Sequence, residues 1–221
     1  MQTSINLQEW FGSIDIYLFD QLLKGRFVPG MRVLDAGCGS GRNLVYFLRS
    51  GYEVFGVDES GPQITQIRRL AAALAPHLPA DNFRVESVER MSWGKADSSQ
   101  QTANSRRENT PGFDVVLSSA VLHFARDERQ WRAMVNEMWR VLKPGGIFFA
   151  RLASTIGMED QVRLIEGRRY HLPDGSDRFL VDEAMLQQVT AALGGEFLEP
   201  IKTTVVESMR AMTTWVVRKK L

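Results

Sequence analysis

Apolar residues recur along this chain in two alternating rhythms. Leu7, Trp10, Phe11, Ile14, Leu18 and Leu22 return every three or four positions and predict one amphipathic helix over residues 6–24, with Gly25 as its stop. "MRVLDA" follows as an unbroken apolar run, the mark of a strand buried on both faces. Residues 42–50 then read as a helix closed by Gly51, "YEVFGVD" as a second strand, and 62–75 as a helix ending near Pro76. "NFRVES" is a short third strand and "FDVVLSS", 113–119, a fourth. Asp127 and Gln130 have the spacing of a capping box at the start of the next helix, whose inner face carries Trp131, Met134, Val135, Met138 and Leu142. "KPGG" turns into a fifth strand, "IFFARL". After a helix near 182–193, "EFLEPIKTTVV" and "RAMTTWVVRK" lie close together without a helix between them. They predict a hairpin on a sheet edge, where Pro200 is tolerated.

Strands alternating with helices predict an α/β fold, a Rossmann-like three-layer sandwich with helices on both faces of a mostly parallel sheet. The 221 residues, 44% of them hydrophobic, suffice for one well-filled core, so a single domain over 1–221 is expected. "GKADSSQQTANSRRENTPG", 94–112, has no large apolar residue and reads as a flexible surface insertion, with a functional lid as the alternative.

Charge and cysteine content narrow the class. Lys and Arg total 27 against 26 Asp and Glu, which gives no basic excess for DNA or another polyanion. The one cysteine, Cys38, rules out an intramolecular disulfide framework and suits a reducing compartment. "MQTSINLQEW" lacks the charged and apolar regions of a signal peptide, and no apolar run approaches the ~20 residues that span a bilayer. A cytoplasmic location with no membrane contact is expected. Composition is silent on oligomeric state.

The densest chemistry lies in "VLDAGCGSGRN", where Gly37, Gly39 and Gly41 follow the first strand at alternate positions. A strand, a glycine turn and a helix start form a site for a polar or charged group, the bland alternative being a tight turn with no ligand. The P-loop string is missing. The dinucleotide spacing fails too, because its third glycine falls on Arg42 or Leu44. Asp35 at the mouth of the strand repels a pyrophosphate and attracts an ammonium or sulfonium group. Asp58 ends the second strand, where an acid in a doubly wound fold reaches ribose hydroxyls; the alternative is a solvated strand end.

"VLDAGCGSGRN", "GVDES", "FDVVLSSAVLHF" and "RVLKPGGIFFARL" resemble, in order over about residues 30–152, the motifs of class I S-adenosylmethionine-dependent methyltransferases, and most closely those of the small-molecule "type 11" kind. The resemblance implies a seven-stranded sheet with an antiparallel last strand and S-adenosyl-L-methionine as cofactor. It places the methionine part over Gly37 to Gly41, a loop that includes Cys38 and leads into Asn43, with Asp35 close to the cofactor's amino end. It puts Asp58 on the ribose, Glu59 and Ser60 near the adenine, and Ser118 and Ser119 near the methionine amino group. Where many relatives carry an aspartate for the adenine amine, Ser87 stands here, so the Val88 backbone, Ser87, Glu86 or Glu89 must supply that contact.

The acceptor is a small molecule of unread identity. His123, after the fourth strand, is the candidate general base or else a packing histidine. His171, within the 153–180 segment that shapes acceptor pockets in similar proteins, and Arg168, Arg169 and Arg178 are candidate acceptor contacts or a solvated loop. Trp10, Phe11 and Tyr17, in the N-terminal segment 1–28, either cover the site or pack in the core. The [DN]-P-P-[YFW] tetrapeptide of nucleic-acid amino methyltransferases is missing, and no clustered acids or His/Cys group suggests a metal. Two other classes stay open: a nicotinamide-dependent oxidoreductase, and a catalytically silent S-adenosylmethionine-binding protein.

Overall fold

A computed structural model describes residues 6–94 and 112–221. The interior of the 94–112 stretch, expected as an insertion, lies outside the described residues. The five parallel strands are β1 (Arg32–Ala36), β2 (Glu53–Asp58), β3 (Phe83–Val85), β4 (Phe113–Ser119) and β5 (Leu142–Ser154), in the spatial order β3-β2-β1-β4-β5. Successive residues of one strand enter opposite cores. Val115 and Leu117 of β4 pack with Val33, Phe47, Ile64 and Ile67, while Val116 between them packs with Leu34, Trp131, Phe148 and Trp215. This two-residue alternation with both sides buried is why these strands read as unbroken apolar runs.

The helices cover the two faces as the rhythm requires. α3 (Val45–Arg49) and α4 (Gly61–Leu74) close one side; α5 (Glu128–Val141) and α6 (Glu183–Ala192) close the other. Asp127 caps α5 by accepting the Gln130 amide at 2.7 Å. Trp131 from α5 stacks on Trp215 and Phe179, with ring centroids 6.1 and 5.9 Å away. At the other end of α5, Lys219 donates to the carbonyls of Trp139 and Leu142, placing a cation at the negative end of the helix.

Three expectations need correction. The N-terminal helix is two helices, α1 (Leu7–Phe11) and α2 (Ile16–Leu23). Gly12 breaks them at φ +60°, with Val45 where a β-carbon would be, and Asp15 starts α2 anew by accepting the Tyr17 amide. The edge hairpin forms as expected from β10 (Lys202–Val206) and β11 (Arg210–Lys219), the latter antiparallel to β5, but its first stretch also supplies a separate short strand, β9 (Gly195–Phe197), antiparallel to β11. Pro200 lies in the gap between β9 and β10, so the main sheet has eight strands among the described residues rather than seven. Residues 163–179 form a second, antiparallel sheet, β6 (Arg163–Glu166), β7 (Arg169–His171) and β8 (Asp177–Phe179), in a segment where no strands were predicted. It sits on the end of β5 through Ala153, Leu172 and Leu180.

Candidate active site

The C-terminal ends of β1, β2 and β4 meet at the glycine loop. The amides of Gly37 and Cys38 both donate to the Val57 carbonyl, at 2.8 and 2.9 Å. Asp58 then ties loop and strand together: one carboxylate oxygen accepts the Gly39 amide and the other the Ser60 amide, each at 2.9 Å. Gly37 and Gly41 are required by sterics, since a β-carbon would come within 2.4 Å of Val121 in the first case and 2.1 Å of Ile67 in the second. Gly39 faces open space. Cys38 points inward, its sulfur against Gly56, and burial raises its thiol pKa, with Asp35 and Asp58 adding to the effect. Ser60 caps α4.

Two polar atoms beneath the loop are buried without a hydrogen-bond partner: Oδ1 of Asp35 and Oγ of Ser118. Burial pushes the Asp35 carboxyl up to about 7; Asp58 adds to that, while the Arg42 guanidinium opposes it. Such orphaned groups are costly unless a ligand satisfies them. Ser119 is engaged, accepting from Arg42 at 3.0 Å and lying 3.4 Å from Asp15.

A pocket of about 280 Å³ opens against this loop. Gly37, Asp58, Glu59, Ser87, Val88 and Glu89 line it from the strand side, and Val121, Phe124, Gln130 and Met134 close it. The two acids that flank Ser87 separate here. Glu86 is half-buried and bonded to the amide and hydroxyl of Ser92, at 2.9 and 2.6 Å, outside the pocket lining. Glu89 lines the pocket, its carboxylate accepting from the Gln130 side chain and its amide donating to the Ser87 hydroxyl.

A second pocket, of about 380 Å³, shares Ala120 and Phe124 with the first. It is bounded by His123, by Arg151 and Ala153 of β5, by Arg210 and Met212 of β11, and by the turn and β8 strand of the small sheet. His123 is buried, and its Nδ1 accepts the Ala153 amide at 3.3 Å, which leaves Nε2 to carry the proton of the neutral ring. Burial, with Arg178 and Arg210 adding, pushes its pKa down to about 4. The lone pair that a base would use is therefore already committed, and the imidazole serves as a donor.

Asp15 joins the two regions. Its amide donates to Oδ1 of Asn43 at 3.0 Å, and its carboxylate pairs with Arg151 at 3.1 Å. Arg151 also lies 4.3 Å from the ring centroid of Tyr17, whose hydroxyl bonds to Thr204.

The family whose model matches, described as a methyltransferase domain, covers residues 33–146, which contain both the glycine loop and β4. The chain belongs to the class I S-adenosylmethionine-dependent methyltransferase family. It is 28% identical to a malonyl-[acyl-carrier protein] O-methyltransferase of Enterobacter lignolyticus, over 82% of this chain and 61% of that protein. It is 30% identical to a ubiquinone biosynthesis O-methyltransferase of Xanthomonas oryzae pv. oryzae, over 66% of this chain and 57% of that protein. The chain thus spans about half to three fifths of the length of the curated relatives it matches. Among solved structures, a 1,6-didemethyltoxoflavin-N1-methyltransferase of Burkholderia thailandensis superposes with a TM-score of 0.66 at 17% identity, over 98% of this chain and 82% of that one. A magnesium protoporphyrin IX methyltransferase from Synechocystis gives 0.64 at 14% identity, over 93% and 77%. Both show the methyltransferase fold.

Within that fold some of the expected acceptor contacts fall elsewhere. His171 pairs with Asp177 at 2.7 Å on the small sheet and lines neither pocket. Arg168 is bound to Asp182 at 2.9 Å and also faces Glu128. Trp10 is exposed on α1, and Phe11 stacks on Tyr46, with centroids 4.9 Å apart. Tyr17 packs under Arg151 rather than lining a pocket. Sequence reasoning gave Gln130 and Met134 only structural roles, in a cap and on a core face, and missed Arg151 and Arg210. Arg151 alone had a signal, a charge closing the apolar run "IFFARL". Among the described residues no group of three or more His, Cys, Asp or Glu side chains can hold a metal, and no helix is long and apolar enough to cross a membrane.

Proposed function

We propose that this chain transfers a methyl group from S-adenosylmethionine to a small-molecule acceptor. The observation that carries the reading is the pair of adjoining pockets, one built on the glycine loop and acids, the other opening beyond a shared wall of Ala120 and Phe124. The residues fit the cofactor chemically. Oδ1 of Asp35 and Oγ of Ser118 are acceptors in want of a donor, as the methionine ammonium would be. Asp58 and Glu59 border the space suited to a ribose, and Val88, Val121 and Met134 offer apolar surface to a flat base. Glu89 takes the adenine amine in place of Ser87. The bound cofactor supplies a sulfonium-activated methyl group.

What remains for the protein is alignment and exclusion of water. Phe124 and Val121 close one side, and His123 donates through Nε2 to an oxygen or nitrogen of the acceptor, whose attacking atom arrives already deprotonated or, as a neutral amine, sheds its proton to solvent after the transfer. The ubiquinone biosynthesis O-methyltransferase among its relatives and the 1,6-didemethyltoxoflavin-N1-methyltransferase among its fold neighbours support this acceptor class. The buried, unpaired Cys38 supports a reducing, cytoplasmic setting.

Calorimetry with S-adenosylhomocysteine and its 6-oxo analogue S-inosylhomocysteine tests the assignment. The wild type is expected to prefer the amine by about tenfold or more, and Glu89→Gln to narrow that preference. Tighter binding of NADH than of S-adenosylhomocysteine would sink the reading.

A further inference from the structure

We propose that the methyl acceptor is an anion, its carboxylate or phosphate held between Arg178 and Arg210 in the pocket beyond Ala120. The inference rests on the methyl-transfer reading above and names the acceptor's chemical class.

The lining of this pocket is cationic in a chain whose formal net charge is only +1, so the charge is local rather than a by-product of a basic surface. Three arginines contribute: Arg151 from β5, Arg178 from β8 and Arg210 from the start of β11. Arg151 is already answered by Asp15 at 3.1 Å. Arg178 and Arg210 have no carboxylate within ion-pairing distance among the described residues. The one acid in the lining, Asp174, is bonded through Oδ1 to the amide and hydroxyl of Ser176, at 3.0 and 2.5 Å, and offsets part of the charge of both guanidiniums without pairing with either.

The two guanidiniums arrive from different sheets and converge. Both depress the protonation of the same buried imidazole, His123, and both act on Asp174. Like charges held together from separate elements repel, and an anion between them removes that cost. Arg178 is also pre-oriented. Its guanidinium lies 4.8 Å from the ring centroid of Phe124, and one nitrogen is fixed by the Asp177 carbonyl at 2.8 Å, leaving the rest of the fork free. The Nε2 hydrogen of His123 adds a neutral donor, while Leu172, Met212 and Ala153 give the pocket an apolar side for the acceptor's body.

The test uses the full chain with and without S-adenosylhomocysteine, titrated with benzoate, phenyl phosphate and neutral benzamide and followed by NMR. Either anion is expected to bind the loaded protein about tenfold or more tightly than benzamide, and the tighter of the two tells a carboxylate from a phosphate. Arg178→Gln with Arg210→Gln is expected to abolish the preference while leaving S-adenosylhomocysteine affinity unchanged, which also reports that the variant is folded. Arg210→Lys should retain a preference that Arg210→Gln loses. Equal binding of benzoate, phenyl phosphate and benzamide, or a preference untouched by the double substitution, overturns the proposal while the donor reading stands. Failure of S-adenosylhomocysteine to bind the wild type removes the donor reading and this proposal together.

Discussion

Asp35 concentrates the tension of the site in one side chain. It is 1% exposed, lacks a partner for Oδ1, and its carboxyl is pushed up to about 7 chiefly by burial. Between the ordinary aspartate range and pH 7 the folded protein therefore keeps a proton that the unfolded chain has released. Stability drains away as the pH rises through that window and does not return above it. Asp35→Asn is expected to raise the melting temperature of the ligand-free protein at pH 8, with the gain shrinking toward pH 5. Parallel melting curves for wild type and variant across that range would refute the assignment. A bound ammonium offsets the burial cost of the ionised form, so the same substitution should weaken S-adenosylhomocysteine at pH 8, where its stabilising effect is largest. The glycine loop and Asp58 were legible from spacing alone, because close packing and paired amides constrain residue type. The choice between Glu86 and Glu89 was not, because a turn after β3 decides which of them faces the pocket.

At the scale of elements, the strands buried on both faces were the easiest to read. β4 and β11 fall on the residues that their apolar runs predict, 113–119 and 210–219. The N-terminal helix was misread because its apolar spacing runs on through Gly12, where contact with Val45 sets the break. The small sheet was missed for a different reason: its strands are three or four residues long, and all of β6 is exposed, so no periodicity develops. Its one local signal is the Pro173-Asp174-Gly175 turn. α5 carries a consequence of its own. Asp127 caps the turn that presents Gln130 to Glu89. Asp127→Ala is therefore expected to cost about 1 kcal/mol of stability, read by urea denaturation, and to blunt the preference for adenine as well. A stability loss with unchanged adenine preference would mean that Gln130 holds its place without the cap.

For the whole molecule, the second pocket draws on segments far apart in sequence, which is why His123, Arg178 and the 153–180 segment were legible as acceptor candidates while their convergence with Arg151 and Arg210 was not. Arg151, Arg178 and Arg210 belong to two sheets and become neighbours only when the small sheet sits on the end of β5. The first pocket is built from the loops after the parallel strands and one face of α5, and the second adds the small sheet and the start of β11. Replacing the exposed residues Leu164 and Ile165 of β6 by Thr is expected to leave both S-adenosylhomocysteine and anion affinity within about twofold of wild type, measured by the same titrations. A larger loss would place β6 in the binding surface.

The clasp at Asp15 bears on the order in which ligands assemble. One aspartate touches Asn43 beside the glycine loop and Arg151 in the wall of the second pocket. A ligand that settles either end of this clasp changes the free energy of the other, and thermodynamic linkage makes the effect mutual: whatever factor the donor adds to anion affinity, the anion must return to the donor. Measured as a closed cycle of four binding constants, the coupling is expected to be favourable in the wild type and to fall toward none in Asp15→Asn. Independent binding in the wild type would show that the two pockets are neighbours only in space.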